Sequence, residues 1–214
     1  MNWLAKLIAG RSDGGIQDPA VAEVLEQWRA LEVADPTRPH FETRYTVLNT
    51  EATGLNLEQD SLLAVAAIAI DEGQIAPSQS YYAPLTPEPV VTLANLLSFC
   101  GKGPVIAFNA AFNRSMLERA FETHLGFVPE LLWLDLYVLL PALFPERIDH
   151  PARLADWMNS FGIETFQRHH ALGDAWAIAQ LALAANSRAL SSAYGSARVL
   201  ADMERMRRQL RRQS

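Results

Sequence analysis

Cysteine is almost absent from this chain: Cys100 is the only one. One thiol can build neither a disulfide framework nor a thiolate zinc site, and its place beside Leu96, Leu97 and Phe99 predicts a buried, reduced side chain. Also missing is any uninterrupted apolar run near the ~20 residues that a membrane-spanning helix needs, so no membrane span is expected. The short apolar start of Trp3, Leu4, Leu7 and Ile8 is broken by Lys6 and lacks the hydrophobic stretch of a cleavable leader, and a cytoplasmic location is expected. Nor is there an excess of positive charge. The formal net charge is −6, whereas proteins that hold long duplexes usually present a basic face, so any nucleic-acid contact has to be local. Internal repeats and low-complexity segments are absent as well.

What is present is a chain half hydrophobic and one fifth charged, enough to bury a sizeable core. It divides into three parts. Residues 1–43 form an N-terminal helical extension. Asp18 can cap a helix that has Pro19 at its first position, and Val21, Val24, Leu25, Trp28 and Leu31 follow at helical spacing until Pro36 and Pro39. Residues 44–189 hold the main domain. Residues 190–214 are a basic helical tail, in which Arg198, Arg205, Arg207, Arg208, Arg211 and Arg212 face only Asp202 and Glu204. The tail reads as a solvated helix or as an arm that binds phosphate or a protein partner; the N-terminal stripe suits docking on the domain or on a partner better than membrane anchoring.

Within the main domain the hydrophobic period changes once. Tyr45 to Leu48, Leu62 to Ile70 and Ser78 to Ala83 are short β-prone runs, and Glu72-Gly73 suits a two-residue hairpin between the second and third. From Val90 onward helical patterns alternate with short apolar strands at 104–108 and 131–134, with further helices at about 135–144, 151–161 and 171–189. The expected fold is α/β: a mixed five-stranded sheet, three antiparallel strands followed by parallel ones, with helices on both faces.

That order gathers chemistry-bearing residues. Asn49 and Glu51 stand on one face at the end of the first strand. Asn113 lies on the helix after the fourth strand, Asp174 in the first turns of the late helix, and His169 just before it. Oxygen ligands from one strand and two helices, plus one imidazole, are the parts of two-metal phosphodiester hydrolysis. There, two Mg²⁺ or Mn²⁺ ions about 3.5–4 Å apart orient water and stabilise the leaving oxygen, while a histidine takes the proton.

The motifs resemble those of the proofreading-type exonucleases with four acidic residues and a histidine, the DEDDh group of the ribonuclease H-like superfamily, as in the epsilon subunit of bacterial DNA polymerase III. The likeness covers about residues 44–189. The family's Asp-x-Glu-Thr-Thr-Gly-Leu is matched by Asn49-Thr50-Glu51-Ala52-Thr53-Gly54-Leu55, and its His-Asn-Ala-x-Phe-Asp by Phe108-Asn109-Ala110-Ala111-Phe112-Asn113. Its His-x-Ala-x-x-Asp is matched in full by His169, Ala171 and Asp174, and Asp135 resembles an additional aspartate after the fifth strand. The resemblance implies Glu51 and Asp174 as metal ligands, His169 as general base, and Thr53, Gly54, Leu55, Asn109 and Phe112 as substrate contacts. Plainer roles stand beside these: a tight turn at Thr53-Gly54, core packing for Phe112 and Leu117, and packing for Trp133, Trp157 and Trp176.

Two departures turn the expectation. Asn49 and Asn113 place neutral amides at metal-ligand positions, so half of the carboxylate charge that would offset a pair of divalent ions is gone, and an amide cannot bridge two cations as a carboxylate does. Asp60, Asp149 and Asp156 are the acids available to compensate. In addition, family members commonly carry a loop and helix with a His-x-Ile element between the third strand and the next helix, where here Pro84-Leu85-Thr86-Pro87-Glu88-Pro89 leads directly into Val90. Metal occupancy is expected to be weak. Three readings follow: a degenerate exonuclease-like protein that binds single-stranded nucleic acid or a nucleotide with impaired or absent hydrolysis; an active 3′→5′ exonuclease using Glu51, Asp174 and His169; and a protein-interaction module with a vestigial cleft.

Overall fold

The computed structural model describes residues 18–166, 170–192 and 194–213; His169 and the Trp3-Leu4-Leu7-Ile8 stripe lie outside them. Its sheet comprises β1 (Tyr45–Ala52), β2 (Leu62–Asp71), β3 (Gln74–Pro84), β4 (Val105–Ala107) and β5 (Trp133–Asp135) in the order β3-β2-β1-β4-β5. The first three strands pair antiparallel and the last two add in parallel, as the switch in hydrophobic period predicts. At the β2–β3 turn both Glu72 and Gly73 have positive φ, 49° and 71°, which lets a two-residue turn follow the right-handed twist of its strands. β1 does not stop at Asn49: residues 49, 50 and 51 stay paired with Ala66, Val65 and Ala64.

Helices α1 (Pro19–Ala30), α2 (Pro89–Cys100), α3 (Ala110–Leu125), α4 (Leu136–Leu143), α5 (Leu154–Phe161), α6 (Ala171–Ser191) and α7 (Ala197–Gln213) cover the sheet. Strand alternation sorts them into two cores. Tyr45 and Val47 of β1, with Ala66, Ile68 and Ile70 of β2, face the core built with α4 and α6. Leu48, Val65 and Ala67 face the other, built with α1, α2 and α3. Alanine sets how near α6 can come. Its buried Ala175, Ala179, Ala182 and Ala185 lie over a strand whose own inward residues include Ala64 and Ala66, so little side chain separates helix from sheet.

The first and last described helices pack on this body. Asp18 caps α1 by accepting from Ala20 N at 2.9 Å, an interaction worth about 0.5–2 kcal/mol. Val21, Leu25 and Trp28 are buried, and the Trp28 indole donates to the Gly101 carbonyl at 2.8 Å. Near the other end, Ala197 and Leu200 of α7 are buried in the α6 core. The connector before β1 clasps the α6–α7 turn: Arg198 N donates to Pro36 O at 2.8 Å, and His40 N to Gly195 O at 3.1 Å. Among the described residues, no helix is long and apolar enough to cross a membrane.

Candidate functional site

Neighbouring residues at the end of β1 hand their side chains to different helices. The close approach of α6 brings the first residue of that helix, Ala171, onto Asn49 and Glu51. Asn49 Nδ2 donates to the Ala171 carbonyl at 3.3 Å, and the Ala171 N–H donates to Glu51 Oε1. The backbone N–H and C=O of one residue are therefore both held by the two side chains expected to bind metal. This carboxylate also satisfies an N–H that the first turn of a helix leaves without an intrahelical partner. Asp174 stands within the same first turn, and its N–H donates to the His170 carbonyl at 2.9 Å. His170 places its ring 4.8 Å from that of Tyr82 on β3.

Thr50 points the other way, to α3. Its N–H and its hydroxyl both donate to Asn113 Oδ1, at 3.0 and 2.9 Å, while Asn113 Nδ2 donates to the carbonyls of Phe108 and Asn109 at 3.1 and 3.2 Å. An amide side chain has two lone pairs and two N–H donors, and here all four are used. The orientation is dictated: reversed, the amide would set its oxygen against two carbonyls and its NH₂ against two donors. Asn113 is only 4% exposed, so none of these bonds is exchanged cheaply for water. Asn109 enables the arrangement by taking a left-handed conformation, φ 59° and ψ 61°, which asparagine tolerates better than most residues.

This donor set does not fit a carboxylate-bridged pair of Mg²⁺ or Mn²⁺ ions. A hard divalent ion takes oxygen lone pairs, preferably charged. Both lone pairs of the Asn113 oxygen are committed, and Asn49 is neutral and anchors a helix. Among the described residues, no three His, Cys, Asp or Glu side chains converge as a metal-binding group. The compensating acids are engaged elsewhere. Asp60 accepts from Thr53 Oγ1 and Asn56 N, both at 2.7 Å, which hold its carboxyl below the usual carboxylate range. Asp149 pairs with His150 at 3.0 Å, and Asp156 caps α5 through Arg153 N at 3.0 Å.

The β1–β2 loop is braced around Asp60. Arg119 of α3 donates to the carbonyls of Leu57 and Asp60, and a Cβ on Gly54 would lie 2.5 Å from the Asp60 carboxylate. The brace leaves Leu55 84% exposed at the tip. Of the other expected contacts, Asn109 is exposed, while Phe112 is half-buried and packs on the α2–α3 core. Asp135 lies apart from the Asn49–Glu51 pair in its bonding. It caps α4 through Tyr137 N at 3.0 Å and accepts from Arg208 of α7 at 2.7 Å, while its own N–H donates to Glu204 at 2.8 Å. Burial raises the Glu204 carboxyl despite the opposing pull of that N–H and of Arg208.

Sequence reasoning did not find Thr50, the Ala171 peptide, Arg119 or the Glu204–Arg208 clamp. Strand alternation carries a signal for Thr50, since it turns residue 50 away from residues 49 and 51 and toward the face that α3 covers.

Comparison with protein-family models and with curated proteins gives no match. Solved structures do match. Exonuclease I of E. coli in complex with a dT13 oligonucleotide aligns with a TM-score of 0.53 at 18% identity, over 70% of this chain and 42% of that one. A structure of exonuclease I concerned with processivity gives 0.52 at 16% identity, over 74% and 42%. The zinc-bound complex of the E. coli enzyme with single-stranded DNA gives 0.52 at 19%, over 68% and 41%. This chain thus spans about two fifths of the length of exonuclease I. Sheet order, strand directions and these alignments together establish its architecture: a mixed α/β, ribonuclease H-like fold that it shares with exonuclease I.

Proposed function

We propose that this chain is a degenerate 3′→5′ exonuclease-like protein that holds a single-stranded nucleic-acid end, or a nucleotide, in the old cleft, with phosphodiester hydrolysis impaired or absent. One observation carries the reading: Asn113 spends both ends of its amide on Thr50, Phe108 and Asn109, while Asn49, through Nδ2, and Glu51, through Oε1, are tied to Ala171. In a working site the same positions would supply lone pairs to two cations, and the charge of those cations is what stabilises the leaving oxygen. Glu51, Asp174 and His169 alone leave that charge uncompensated.

Support for retained binding comes from a different part of the cleft. The turn at Thr53-Gly54-Leu55 keeps the family's sequence and is held rigid with its apolar tip presented to solvent, so little ordering cost remains when a ligand arrives. The oligonucleotide complexes among the solved neighbours are consistent with such a ligand. The likeness to the epsilon subunit rests on the three sequence motifs.

The test is Mn²⁺ titration together with a 3′-labelled single-stranded oligonucleotide. Oligonucleotide binding with neither micromolar Mn²⁺ affinity nor cleavage is expected. Mn²⁺-dependent shortening from the 3′ end would establish the active reading instead, and absence of any oligonucleotide or nucleotide binding would leave a protein-interaction module.

A further inference from the structure

Helix α7 carries two apolar faces, and the fold uses only one. On the inner face Ala197 and Leu200 are buried, and Glu204 and Arg208 clamp Asp135. On the outer face Val199, Met206 and Leu210 are 36%, 62% and 57% exposed, and Met203, at the edge of that face, is half-buried and packs in part against the α6 core. At about 100° per residue, these four fall within an arc of roughly 60°, with Met203 at its border with the docked face and the other three turned away from it. Their spacing of four, three and four residues is the d, a, d, a of a heptad seam. In that register Asp202 takes a g position and Arg207 an e position.

We propose that this outer face pairs with the same face of a second copy of the chain, in a parallel two-stranded coiled coil with Val199, Met203, Met206 and Leu210 along the seam. Charge complementarity selects both the occupant and the direction. In a parallel, in-register pair a g residue meets the e residue five positions further along the other helix. Asp202 of each copy then faces Arg207 of the other, twice by the two-fold symmetry of such an interface. Run antiparallel, Asp202 would face Gln209 and Arg207 would face Leu200, with no opposite charges in contact. Asp202 now pairs within its own helix with Arg198 at 3.4 Å and Arg205 at 3.2 Å. Those pairs are solvent-exposed and of small worth, so exchanging one of them costs little.

Anchorage makes a short seam sufficient. Two heptads seldom hold a free peptide helical, because nucleation is costly, but the Asp135 clamp and the buried Leu200 already fix α7 as a helix. The contact is smaller than the roughly 800 Å² per partner of a standard interface, so association is weak, reversible and concentration-dependent.

Sedimentation velocity of the full chain over a wide concentration range tests this, with circular dichroism confirming that each variant is folded. A shift from monomer to dimer is expected for the native chain. Met206→Glu with Leu210→Glu should leave only monomer. Asp202→Arg sets like charges opposite each other and should weaken the dimer about tenfold or more, and adding Arg207→Asp to that variant should restore it. A native chain that stays monomeric throughout, a dimer that survives the Met206 and Leu210 changes, or a charge swap that fails to rescue would overturn the proposal. None of these variants touches the cleft, so the outcome is independent of whether the cleft binds nucleic acid.

Discussion

Thr50 gives both its N–H and its hydroxyl to one oxygen, Asn113 Oδ1, at 3.0 and 2.9 Å. The relationship joins β1 to α3 at the position where the exonuclease resemblance implies a metal ligand. It also explains why the residue there is an amide: the other half of the side chain must donate to two carbonyls, which a carboxylate cannot do.

Asn113→Asp should therefore destabilise the fold by about 1–3 kcal/mol, the cost of leaving buried polar groups unsatisfied. The penalty belongs to the ionised carboxylate, because a protonated one could still donate to one carbonyl. Urea unfolding at several pH values should show the loss growing as pH rises from acid to neutral. An equal loss at all pH values would sink the account.

Restoring both carboxylates, with Asn49→Asp and Asn113→Asp, should create a Mn²⁺ response that the native chain lacks. Four acids would then stand at positions 49, 51, 113 and 174, and a ligand bound only by the folded state raises stability by RT ln(1 + [L]/Kd), about 2.7 kcal/mol at one hundred times Kd. The double variant should start less stable and recover as Mn²⁺ is added, read as a rise in Tm. No metal-dependent shift would mean that the cleft does not assemble around these four positions.

The Leu55 loop depends on Arg119 and Asp60 for its shape. Arg119→Ala should speed hydrogen exchange at the amides of residues 53–61 while the sheet amides stay protected. Oligonucleotide affinity should fall several-fold through the added ordering cost. Unchanged exchange in the loop would show that Arg119 does not hold it.

His40 makes a pH signature of its own. Nε2 lies 2.8 Å from the Tyr194 carbonyl and Nδ1 lies 2.6 Å from the Tyr45 hydroxyl, which assigns the ring hydrogen to Nε2 and makes Nδ1 the acceptor. Burial lowers the histidine's pKa, and the Tyr194 carbonyl offsets this in part. The unfolded chain thus takes up the proton first. This contribution is complete above the ordinary histidine value of about 6.5, declines as pH falls below it and is gone beneath the lower folded-state value. His40→Gln should unfold more easily than the native chain at pH 8, with the gap closing toward pH 5; a gap independent of pH would contradict this.

Much of the architecture was legible because it follows from local periodicity. The β-prone run at 45–48, the Glu72-Gly73 turn and the Asp18-Pro19 helix start each depend on residues close together in the chain, and each lies where the pattern puts it. The site was legible only as a set of positions. Asn49, Glu51, Asn113 and Asp174 could be named from their motifs, but not the bonds they make, because Asn49 meets Ala171 across 122 residues and Thr50 meets Asn113 across 63. The basic run at 198–212 likewise hid its division of labour: Arg208 reaches Asp135 across 73 residues, whereas Arg207 stays exposed.

By itself, then, the sequence determined the order of strands and helices and the neutrality of two ligand positions, since both are properties of residue type and spacing. Tertiary structure decided what those neutral side chains do. Small residues on α6 and β2 let helix and sheet close together, and that approach delivers the Ala171 peptide to Asn49 and Glu51. In the same way, α3 places Asn113 where two donors and two carbonyls already stand. A buried amide between fixed partners is worth its complementarity to them, and only the folded arrangement of those partners sets that value.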